Sequence, residues 1–263
     1  MFFSVFQLSY LWLLPFGLAV GLPASVIGSG GGLVLPLILM LLFDVPAPAA
    51  VGTSLAAILP LCAVALVGHR QSGNIDTGLG VLFGGTGVAG AFVGVGLTRI
   101  MGAELLRAAF GGYTVLLGAL MLPRRSRRAD AQSAPDAQRR RRRRLVLGSL
   151  YGFAGGLISG SFGTSGSAPV LAGLFALRMP LRVVIGTSLM VVLIKTAAAL
   201  VGHVAFGVID LTLVLLLTPG AVLGALAGPR LLTRAALERR ESPIRGVLAV
   251  VVMLAGVVML VRW

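Results

Sequence analysis

Uncharged apolar runs recur along the chain at about 49–68, 77–98, 108–122, 183–202, 211–229 and 246–261. A bilayer core needs about 20 apolar residues in a helix. Each run therefore predicts a transmembrane helix. None alternates apolar and polar residues as a barrel strand would, and lipid-exposed strands leave sheet edges unpaired. The stretch Met1–Phe43 contains no Asp, Glu, Lys, Arg or His, so insertion is expected to begin at once. No basic residue precedes that apolar stretch, which predicts that no signal peptide is removed.

Two stretches break the pattern. Pro23-Ala24-Ser25-Val26-Ile27-Gly28-Ser29-Gly30-Gly31-Gly32 precedes a short apolar piece, Leu33–Phe43, which ends before Asp44, Pro46 and Pro48. Ser159-Gly160-Ser161-Phe162-Gly163-Thr164-Ser165-Gly166-Ser167-Ala168-Pro169 precedes Val170–Leu177 in the same way. Glycine costs about 1 kcal/mol against alanine in a helix. Each cluster therefore predicts two half-helices meeting at a break, as a re-entrant hairpin.

The resemblance between these stretches is part of a duplication. Displaced by 134 residues, Gly52-Thr53-Ser54-Leu55 falls on Gly186-Thr187-Ser188-Leu189, Leu66-Val67-Gly68-His69 on Leu200-Val201-Gly202-His203, and Ile75-Asp76 on Ile209-Asp210. From Gly52 to Gly94, 20 of 43 positions are identical without a gap, which rules out chance. The chain divides into a first membrane repeat (1–123), a polybasic linker (124–144) and a second repeat (145–263). Duplication of this kind is a common plan in secondary transporters.

Composition agrees with a membrane protein: 57% of residues are hydrophobic and 11% charged, against about 25% charged in a soluble domain. The net charge of +14 is local, because ten of the 22 basic residues lie between Arg124 and Arg144. Such a run is a topology signal and an attractor of anionic lipid headgroups, and nucleic acid is not expected as a partner. Topology decides the kind of repeat. With an odd number of crossings per unit and the linker inside, 18 basic residues are inside and three, Arg99, Arg107 and Arg262, outside. With an even number the split is 12 to nine. The positive-inside rule selects inverted repeats with a cytoplasmic linker and both termini outside. The expected fold is an all-α polytopic membrane protein of two inverted repeats, each a glycine-interrupted hairpin plus three transmembrane helices.

The sequences Gly28-Ser29-Gly30-Gly31-Gly32-Leu33-Val34-Leu35-Pro36, Val51-Gly52-Thr53-Ser54-Leu55 and Gly73-Asn74-Ile75-Asp76, in this order and again in the second half, resemble the sulfite exporter TauE/SafE family. The resemblance implies a bacterial inner-membrane permease for sulfite, sulfonates or related organosulfur anions. In the second copy Thr164-Ser165-Gly166-Ser167 stands in place of a fuller glycine run.

A helix start is an anion site without a basic side chain, since its first N–H groups are unpaired and carry about half a positive charge. Half-helices beginning after Gly32 and Gly166 place Gly28, Ser29, Gly30, Gly31 and Gly32, with Gly163, Thr164, Ser165, Gly166 and Ser167, as candidate substrate-binding residues. The alternative is that these glycines only permit close packing. Thr53, Ser54, Thr187 and Ser188 either line the same cavity or bond back to their own backbone. Lys195 lies nine residues into an uncharged run, seven after Ser188 and on the same helical face. An intramembrane charge is functional by default, and snorkelling along a tilted helix is the alternative. Its counterpart is Leu61, so this charge breaks the repeat symmetry. His69 and His203 mark helix ends, and Asp76 and Asp210 precede helices as N-caps.

Nothing resembles a nucleophile, base and orienter set or a metal site, and Cys62 is the lone cysteine, so neither an enzyme nor a cofactor is expected. The eight carboxylates all fall in loops or at helix ends, and no buried proton relay is evident. An inside-negative potential supplies about 2.3 kcal/mol per charge per 100 mV to a departing anion. The expected function is a secondary transporter of a small sulfur anion, driven outward by voltage, whereas uptake would need a coupling ion. The competing class is a channel-like or scaffolding membrane protein that binds anionic lipid or a partner through Arg139–Arg144.

Overall fold

A computed structural model describes residues 1–2, 7–27, 30–71, 73–121, 137–205, 209–231, 250 and 252–261. After a short 3-10 helix, Leu8–Trp12, come α1 (Leu13–Ile27), α2 (Val34–Leu42), α3 (Ala47–Gln71), α4 (Thr77–Ile100) and α5 (Ala103–Met121). Then follow α6 (Ala137–Phe162), α7 (Ser167–Ala176), α8 (Leu181–Ala205), α9 (Leu211–Leu231) and α10 (Val252–Val261). No described residue belongs to a strand beyond a bridge between Phe2 and Asp210. Among the described residues six helices are long and apolar enough to cross a membrane: α3, α4, α5, α6 from Arg141, α8 and α9. The chain is a multi-pass membrane protein.

The repeat is visible in the helix boundaries. α3 and α8 begin and end 134 positions apart, and α4 and α9 begin 134 apart. Asp76 caps α4 by accepting from the Leu79 N–H at 3.0 Å, and Asp210 accepts from the Thr212 N–H at 3.0 Å. α2 and α7 span nine and ten residues. At about 1.5 Å per residue neither reaches across a core of about 30 Å.

Two expectations change. The basic segment is not all connection, since α6 starts at Ala137 and Arg139–Arg144 form its first turns. The stretch before the second glycine cluster is also not a half-helix but the end of this 26-residue helix. Its glycines stay helical because they are packing surface. A Cβ placed on Gly156 would lie 1.9 Å from the Gly87 carbonyl oxygen, and one on Gly160 2.2 Å from that of Ala91. Backbone contact this close offsets the helix-propensity cost of glycine.

The same contacts give directions. Along α6, Gly148, Gly152, Gly156 and Gly160 meet Leu82, Phe83, Gly87 and Ala91 of α4 in rising order, so the two helices run parallel. Leu14, Leu18 and Leu22 of α1 meet Gly220, Gly224 and Gly228 of α9 likewise. α4 also runs parallel to α8, with Gly80 on Met190, Gly84 on Ile194 and Val95 on Gly202. The first helix of each repeat is thus packed on the fourth helix of the other. α3 and α8 are the centre, each with 61% of its most apolar stretch buried, against 28% for α5.

Candidate functional site

Among the candidate residues, Gly28 and Ser29 lie outside the described residues. The rest of the first turn, Gly30–Gly32, meets the second turn directly. A Cβ on Gly32 would lie 2.2 Å from the Ser165 backbone nitrogen, and one on Gly30 3.3 Å from the Ser165 Cβ. Gly30 and Gly31 have φ of +65° and +63°, Gly163 and Gly166 +66° and +50°. Only glycine adopts such angles without strain, and here two turns need them within contact of each other. Both turns rest on one face of α3: Val51 touches Gly163, Ile58 touches Gly32 and Cys62 touches Gly30. From α8, Val192 touches Gly30.

The second turn is polar. The Gly166 N–H donates to Thr164 Oγ1 at 3.3 Å and the Ser165 hydroxyl to Ser167 Oγ at 3.1 Å, and the Tyr113 hydroxyl lies beside Thr164. Tyr113 stacks with Phe110 and Phe162, at 6.4 and 5.3 Å between ring centroids, and walls this side with aromatic surface. Gly166 is the N-cap of α7, so the first N–H groups of that helix start here without intrahelical partners.

Lys195 is fully buried and donates from Nζ to the Gly166 carbonyl oxygen. It pairs with no described carboxylate. Around it are Gly87 of α4, Gly155 of α6, whose Cβ would stand 2.8 Å from Nζ, and the thiol of Cys62. The sequence placed Lys195 at mid-helix but could not show that Gly87 and Gly155 make room for its stem. Those two glycines, with Cys62 and Tyr113, are the members of the site that sequence reading missed. The adjacent Gly155-Gly156 pair was the available signal.

Thr53 and Thr187 do not bond back to their own helices. Thr187 Oγ1 accepts from the Asp76 N–H at 2.9 Å and Thr53 Oγ1 from the Asp210 N–H at 3.1 Å, a reciprocal pair joining the two repeats. Ser54 and Ser188 are fully buried one residue on. Ser54 lies between Val51 and Ile58 on the α3 face that carries both turns, and its hydroxyl has no hydrogen-bond partner. Three further buried hydroxyls, those of Ser159, Thr196 and Thr218, are also unpartnered. His203 donates from Nε2 to Gly160 O at 2.8 Å, and His69 to Ser25 O at 3.5 Å, so each ties its helix to a neighbour. Among the described residues no three His, Cys, Asp or Glu side chains gather as a metal would require.

The arrangement brings together a buried lysine, a helix start and the unpartnered hydroxyls of Ser54, Ser159 and Thr196, a junction rich in hydrogen-bond donors. Comparison with known proteins agrees with the kind of molecule this describes. A family model, Sulfite exporter TauE/SafE, matches residues 13–259. The "Probable membrane transporter protein YdhB" of Bacillus subtilis is 31% identical over 80% of this chain and 85% of its own length. A "Probable membrane transporter protein" of Xylella fastidiosa (strain 9a5c) is 28% identical over 82% of each chain. No solved structure matches. The chain belongs to the sulfite exporter TauE/SafE family.

Proposed function

We propose that this protein is a permease that carries a small sulfur oxyanion, sulfite or a sulfonate, outward across a bacterial inner membrane, holding it where the two glycine turns meet. The observation that carries this reading is Lys195, a buried cation whose bonded partner is a carbonyl oxygen at the start of α7. An unpaired buried charge costs several kcal/mol. An anion seated between Lys195, the α7 start and the hydroxyls of Thr164, Ser165, Ser54 and Thr196 offsets that cost while bound.

We further propose inverted repeats with the linker inside and both termini outside, the two hairpins entering from opposite faces. The helix directions support it. α6, α4 and α8 run parallel. Thr187 near the start of α8 meets Asp76 past the end of α3, whereas α9 starts at Thr53 near the start of α3 and follows it with α1 to Ser25 and His69. α9 and α1 therefore run against α8, and equivalent helices α1 and α6 point in opposite senses. Charge supports it too. Asp44 and Arg178 hold equivalent positions, with φ of +48° and +56°, yet carry opposite sign. Inverted repeats put the arginine inside and the aspartate outside, as the positive-inside rule favours.

The test is flux from proteoliposomes loaded with sulfite, thiosulfate, taurine, sulfoacetate or sulfate, under an imposed potential. The expected result is efflux of at least one sulfur anion, faster with the loaded side negative, and reduced about tenfold in Ser165→Ala and Ser54→Ala. Absence of potential-dependent flux for every anion in the panel overturns the proposal.

A further inference from the structure

A groove of about 700 Å³ runs along the outer surface between α4 and α6, away from the two glycine turns. Its walls are Thr86 and Ala89 of α4 with Leu145, Val146, Ser149, Leu150 and Phe153 of α6. It is shallow and open along its length, a trough on the surface and not an enclosed cleft. Its chemistry is almost wholly apolar, because Thr86, which could have been a polar point, turns its hydroxyl to the Leu82, Phe83 and Gly148 carbonyls. Leu145, Val146 and Leu150 are 48%, 55% and 62% exposed.

The groove has a charged end. Arg141 and Arg142 stand one helical turn before Leu145 and Val146, on the same side of α6, and both are exposed. Arg143 faces elsewhere: its guanidinium donates to the Ala176 carbonyl at 2.9 Å and closes the C-terminal end of α7. Thus the arginine run divides its work. One member is tied to the end of α7, and two neighbours are left over an apolar trough. The equivalent surface on the other repeat lacks this feature, because Gln7 and Leu8 hold the positions of Arg141 and Arg142.

We infer that the α4–α6 groove is a binding site for one anionic phospholipid, with an acyl chain along Leu145, Ser149 and Phe153 and the phosphate on Arg141 and Arg142. Charge complementarity selects this occupant: a neutral lipid gains only the trough, and a soluble phosphate only the arginines. Guanidinium is the side chain suited to phosphate oxygens, and one anionic headgroup so held differs from the diffuse attraction of a basic loop to a charged surface.

The test uses the full chain purified in mixed phosphatidylglycerol and phosphatidylcholine, with retained lipid read by native mass spectrometry. Wild type is expected to retain phosphatidylglycerol preferentially. Arg141→Gln with Arg142→Gln should cut that preference about twenty-fivefold, at roughly fivefold per arginine, and Ser149→Trp should displace the chain and lose retention. Arg178→Gln, an exposed arginine outside the groove, should leave retention unchanged. The arginine variants alter exposed side chains, so an unchanged thermal transition separates lost binding from lost folding. An unchanged preference in the double variant overturns the inference. So does equal loss in Arg178→Gln, which would mean general surface attraction. Displacement by glycerophosphate as effective as by phosphatidylglycerol would remove the groove from the site and overturn it as well.

Discussion

Lys195 has a carbonyl oxygen where a buried cation ordinarily has a carboxylate. A methionine of similar length would fill the same space between Gly87 and Gly155 without the desolvation penalty. Lys195→Met is therefore expected to keep or raise the thermal transition of the purified protein while lowering anion flux more than tenfold. Flux at the wild-type level in a folded variant would remove the lysine from the transport path. The sequence made this residue conspicuous, because a lone charge in a run of apolar residues is legible by itself. It left open whether the amine escapes to water, since that depends on what the facing helices supply. Cys62 and Tyr113 were not legible for the same reason: their membership comes from packing against turns far away in sequence.

At the scale of the helix, glycines that look alike along α4 divide by what faces them. Gly90 and Gly87 abut the α6 backbone, whereas a Cβ on Gly85 would meet nothing within 4 Å. Overpacking costs about 1–3 kcal/mol, and alanine gains about 1 kcal/mol over glycine in an open helical position. Gly156→Ala and Gly90→Ala should each lower the midpoint of denaturant unfolding in detergent, while Gly85→Ala should raise it. Equal effects would mean that α4 and α6 are not in backbone contact. Helix existence was readable from apolar run length, and the α4 and α9 caps from Asp76 and Asp210. The start of α6 was not. Six consecutive arginines look like a solvated connection, and only a following helix continuous with them makes them its first turns.

For the whole molecule, the duplication was legible from identity alone, and the arginine count is what motivates the proposed inversion. What the sequence did not contain is the exchange of partners, α1 on α9 and α6 on α4, since no local pattern says which glycine-rich faces meet. The proposed orientation is checked at the mirror-related pair. In a Cys62→Ala background, Asp44→Cys should react with a membrane-impermeant thiol reagent on intact cells, and Arg178→Cys only after the membrane is opened. Reaction of both from outside would sink the inverted arrangement. The exchange also sets a schedule for synthesis. α1 is complete about 180 residues before α9 begins, which at about 5–20 residues per second is roughly ten to forty seconds. During that interval the glycine-lined face of α1 has no partner within its own repeat. Lipid tails, as apolar as the face itself, cover it until α9 arrives, and truncation anywhere before α9 leaves a first repeat without the surface that α1 packs on.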